Sequence, residues 1–65
     1  MNFHIGDLVK VKKGQGKGQL GVILDYEHVG RFYPSIHLTI KLASGETIKS
    51  KEITYVQKLG DNNEQ

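Results

Sequence analysis

A chain of 65 residues makes one domain at most, and at that size only about 60% of the unfolded surface is buried, which excludes a large core combined with a deep pocket. With no cysteine there is no disulfide staple and no thiolate metal site, which fits a reducing, cytoplasmic setting, and no apolar run approaches the roughly 20 residues of a membrane span. Net charge is +2, yet residues 1–58 carry all nine Lys and Arg against five acids, a balance of +4, while Asp61 and Glu64 lie in the last seven residues.

Val9 and Val11 alternate with Lys10 and Lys12, which predicts a first strand with one apolar and one cationic face. Leu8 breaks that alternation. Residues 12–19 follow as a basic turn in which Gly14, Gly16 and Gly18 can take positive φ without steric cost, and Lys13 and Lys17 join Lys10 and Lys12 around it. Val22-Ile23-Leu24, an uninterrupted apolar run after Gly21, predicts the second strand. Residues 27–34 connect onward, punctuated by Gly30 and Pro34. Ile36, Leu38, Ile40 and Leu42 alternate with His37, Thr39 and Lys41, the cleanest strand signal in the chain, with one face buried and one wet. Ala43 to Glu46 is a tight turn, Thr47 to Lys49 opens a fourth strand, Lys51 to Ile53 reads as a short 3₁₀ turn, and Thr54 to Lys58 reads as a last strand. Residues 59–65 are too polar to order themselves and are expected to fray. The expected organisation is a domain over 1–58 and a flexible acidic and polar tail over 59–65, with neither a signal peptide nor a membrane segment.

The order and spacing of Gly6, Asp7, Val9, Val11, Gly14, Lys17, Gly18, Gly21 and Ile23 resemble the KOW motif of ribosomal proteins and of NusG-type transcription elongation factors. The resemblance implies an all-β fold, a small five-stranded SH3-like barrel, with inward positions at Ile23 and Tyr26. A spacing of three within a strand demands a bulge or strong bend, which is how short barrels close. It also places Gly21 where a bulky side chain would obstruct the turn. The partner implied is RNA or a ribonucleoprotein machine, a ribosome or a transcribing polymerase. The competing class is a protein-only docking or accessory subunit, as in photosynthetic electron-transfer assemblies, or a phage-encoded adaptor or inhibitor.

Two stretches are candidate contact sites. At the turn, Lys12, Lys13, Gln15 and Lys17, with unpaired backbone amides, would meet phosphates; a solvated tip that keeps a sheet edge soluble is the plain alternative. The spacing and Ser/Thr of a nucleotide-hydrolysing P-loop are missing. In the second connection, Arg31, Phe32 and Tyr33 could stack on bases or anchor a protein, one ring being expected in the core and the other exposed. His4, His28 and His37 are too scattered for a metal motif. Asp7 is expected to cap a turn. No catalytic set, metal site or cofactor is expected, and the free chain is expected to be a monomer. Basic residues clustered on one face would favour nucleic acid; an exposed apolar patch around Phe32, Tyr33 and Leu8 would favour protein.

Overall fold

The computed structural model describes residues 3–59. In chain order these form β1 (Leu8–Val11), β2 (Leu20–Val29), β3 (Ser35–Leu42), β4 (Thr47–Glu52), a 3₁₀ turn (Ile53–Tyr55) and β5 (Val56–Lys58). The strands make one antiparallel sheet in the order β4-β3-β2-β1-β5, so the chain meanders through four strands and the 3₁₀ turn returns β5 to the free side of β1. This is the five-stranded all-β architecture the strand signals predict. No helix among the described residues is long and apolar enough to cross a membrane.

Val9 and Val11 from β1, Ile23 from β2, Leu38, Ile40 and Leu42 from β3, Ile48 from β4 and Val56 from β5 are each no more than 5% exposed. All five strands therefore contribute to one apolar face, and no second sheet or helix among the described residues covers it. A flat sheet would leave that face wet, so the sheet rolls around its own core, with Phe3, Ile36 and Ile53 packed against the margins.

Two irregularities bend the strands. In β2, Ile23 pairs with Ile40 but Asp25 pairs with Thr39, leaving Leu24 as the extra residue of a bulge. The bend implied by the spacing of three is thus present. Its second half needs correction: the register puts Tyr26 opposite buried Leu38, on the core side, yet Tyr26 itself stays 41% exposed. In β4, Leu38 pairs with Lys51 and Ile40 with Ile48, and Ser50 takes φ +62° at this bulge. That bulge carries β4 on through Glu52, so the 3₁₀ turn and β5 start two residues later than the sequence implies.

The amino end is fixed by local chemistry. The Asp7 carboxylate accepts a 2.9 Å hydrogen bond from the His4 amide, as its capping role requires, and lies 3.4 Å from the Lys58 ammonium. That amide bond above all, helped by Lys58 and against the partial burial of the group, holds the Asp7 carboxyl below its ordinary value. At the other end, Leu59 is tied in, its amide donating to the Leu8 carbonyl at 2.9 Å. The rest of the expected tail, residues 60–65, lies outside the described residues.

Candidate functional site

The glycine-rich turn after β1 lies folded over the end of the core. The Gly18 amide donates to the Val11 carbonyl (2.8 Å), Lys17 to Gly14 (3.1 Å), Gln19 to Gly16 (3.0 Å) and Lys12 to Tyr55 (2.8 Å). These four amides are spent within the protein and are not available to a phosphate. Gly16 shows why glycine is needed: at φ +83°, a Cβ there would sit 2.9 Å from Leu42 Cδ1 and 3.3 Å from Ile48 Cδ1. The backbone of the turn is itself part of the lid over the core.

Two side-chain ties hold the turn to the far side of the roll. Lys51, on β4 and only 8% exposed, donates from Nζ to the Lys13 carbonyl at 2.9 Å. The Gln15 amide donates to Glu46 Oε2 at 2.7 Å, so Gln15 is bound to the β3–β4 turn. The Tyr55 ring has two ammonium groups over it, Lys13 at 5.6 Å and Lys51 at 5.5 Å from its centroid. No sequence pattern singles out Lys51 or Tyr55, because 38 residues separate Lys51 from the carbonyl it holds.

What the turn offers outward is cationic. Lys10, Lys12 and Lys17, with Gln57 from β5, surround a shallow groove of about 360 Å³ whose lining includes no acidic side chain. Lys12 and Lys17 are the cations expected at the site; Lys10 joins them from the strand, where its alternation already placed it on the wet face. Lys13 is exposed alongside but engaged with Tyr55.

Arg31, Phe32 and Tyr33 do not belong to this surface. They follow β2, whereas the lysine turn precedes it, and the ten residues of β2 amount to about 30 Å of extended chain. Phe32 and Tyr33 are 83% and 92% exposed, so neither ring closes the core. The core is complete with aliphatic side chains from the strands, and the loop hangs off the ribbon beyond it.

The three histidines are separate. His4 lies 3.7 Å from Asp7, His37 Nε2 lies 3.1 Å from Ser35 Oγ, and the His28 ring is 6.2 Å from that of Tyr26. Among the described residues, no three or more His, Cys, Asp or Glu gather as a metal site would require.

The outer face of the sheet is a surface that the sequence motifs do not single out. Leu8, Leu20, Val22 and Leu24 are 38–45% exposed and form one apolar patch across β1 and β2. Two signals point to it: Leu8 interrupts the alternation of β1, and the run Val22-Ile23-Leu24 puts apolar residues on both faces of β2. Comparison with family models, with curated proteins and with solved structures returned no match.

Proposed function

We propose that this chain is a non-catalytic binding module whose lysine-lined end meets the phosphate backbone of RNA, free or within a ribonucleoprotein. The observation that carries this reading is the groove formed by Lys10, Lys12 and Lys17, three cations with no acid among their groove neighbours, one on β1 and two on a turn already pinned by internal hydrogen bonds. Pinning reduces the ordering cost of binding, and lysine contacts to phosphate supply affinity without sequence preference. The KOW-like order of residues 6–23 supports the same partner class.

The test is a titration of single-stranded and double-stranded RNA across a salt series. Lys10→Ala, Lys12→Ala and Lys17→Ala should each weaken binding alike for all sequences and each flatten the slope of log affinity against log salt by about 0.7–0.9 for every phosphate left unneutralised. Tyr33→Ala, at the far end of β2, should leave the slope and the affinity for a short oligonucleotide unchanged. No measurable binding to either RNA at about 50 mM salt, where screening is weak, would dismiss the proposal.

A further inference from the structure

The outer sheet face offers a second surface, which borders the lysine groove at Lys10. Leu8, Leu20, Val22 and Leu24, with Ala43 and the stem of Lys41, line an open apolar groove of about 530 Å³. Exposed branched side chains gathered on adjacent strands are more than the scattered apolar residues of an ordinary surface. The cross-strand row Leu8–Val22–Lys41 is set by register, and Lys10 stands opposite Leu20 on the same face. Lys41 therefore lines the apolar floor, Lys10 stands at its border beside Leu20, and none of the floor's lining residues is acidic. Asp25, next to Leu24 in sequence, turns Oδ1 to the Tyr26 amide at 2.8 Å.

We infer that this groove docks a partner protein's apolar segment flanked by acidic side chains. Charge decides among the occupants. A second copy packed face to face would gather two sets of Lys10 and Lys41 around one apolar contact, and like charges so placed oppose association. The chain's own residues 60–65, Gly-Asp-Asn-Asn-Glu-Gln, hold no apolar side chain to fill the groove. A segment with acids at its flanks satisfies both the floor and the lysines. The floor runs about 13 Å along β2 from Leu20 to Leu24 and about 10 Å across three strands. That matches two turns of helix, about 11 Å, with apolar side chains at i, i+3 or i+4, and i+7.

The probe is a synthetic helical peptide with Leu at those positions and Glu elsewhere, titrated against the intact chain by NMR. Two controls replace Glu by Lys, or Leu by Ser. The acidic apolar peptide should shift the amides of Leu8, Leu20, Val22, Leu24 and Lys41 together, and both controls should fail to do so. Leu24→Ser should weaken binding about tenfold. Lys41→Glu should reverse the preference between the acidic and basic peptides. Both side chains are exposed, so the melting temperature should hold and RNA binding should be unaffected, which separates this test from that of the lysine groove. The inference is overturned if the three peptides bind alike, if the shifts fall on the lysine turn, or if sedimentation shows self-association through this face. Partition onto neutral phosphatidylcholine vesicles in preference to the peptide would overturn it too.

Discussion

Gly21 and Asp7 show how single residues set conditions for the whole sheet. Gly21 lies in β2 opposite Leu42, and a Cβ there would sit 2.5 Å from Ile40 Cγ2 and 2.9 Å from the Lys41 carbonyl oxygen. The backbone carbonyl cannot yield without disturbing the β2–β3 ladder, so Gly21→Val should lower stability by about 1–3 kcal/mol in urea denaturation; an unchanged midpoint would contradict the packing described. Asp7 acts through charge. Its folded carboxyl releases its proton more readily than the unfolded group, whose ordinary value is 3.8. Its contribution is therefore complete above that value and is lost as the pH falls through the lower folded value. Asp7→Asn should remove this part of the acid limb, so that stability falls less steeply on acidification than in the parent protein.

At the scale of elements, the glycine-rich turn is held from β4. Lys51 costs desolvation where it lies and recovers it through the Lys13 carbonyl and the Tyr55 ring. Lys51→Met keeps the stem and removes the ammonium, leaving the Lys13 carbonyl without that donor. The expected cost is about 1–2 kcal/mol, with faster hydrogen exchange at the Lys17 and Gly18 amides. Exchange rates identical to the parent would show that the turn's own hydrogen bonds suffice. β2 also separates the turn from the Arg31–Tyr33 loop, because a strand is a stiff spacer.

Closure of the whole molecule depends on contacts between its ends. Val9 pairs with Lys58 and Val11 with Val56, so the roll is completed only when the last strand finds the first. Loop-closure entropy must be met before that pairing contributes. Refolding is therefore expected over milliseconds to seconds, not in the microsecond range of local helical folds, and stopped-flow measurement checks this. Charge is distributed at this scale too: the lysine groove lies where β1 runs into the glycine turn, while the apolar floor lies on the outer face of the sheet. The two proposed surfaces meet at Lys10 and can be altered separately at Lys12 and Lys17 on one and at Leu24 and Lys41 on the other.

Alternation by itself determined the first and third strands and most of the core. Val9, Val11, Leu38, Ile40 and Leu42 are buried because a strand turns every second side chain to one face, a property of local backbone geometry. Asp7's cap and the bulge before Tyr26 were equally legible, since each depends on near neighbours or on the motif's spacing, whereas the obstruction at Gly21 comes from Ile40 and Lys41 of β3 and not from the turn. What local pattern could not determine is which distant groups meet. Lys51 beneath the turn, Gln15 on Glu46, the exposure of Phe32 and Tyr33, and the extension of β4 to Glu52 all depend on how far each strand runs past the core. That distance is set only when the sheet rolls and all five strands compete for one small interior, and it leaves Leu8, Leu20, Val22 and Leu24 on the outside.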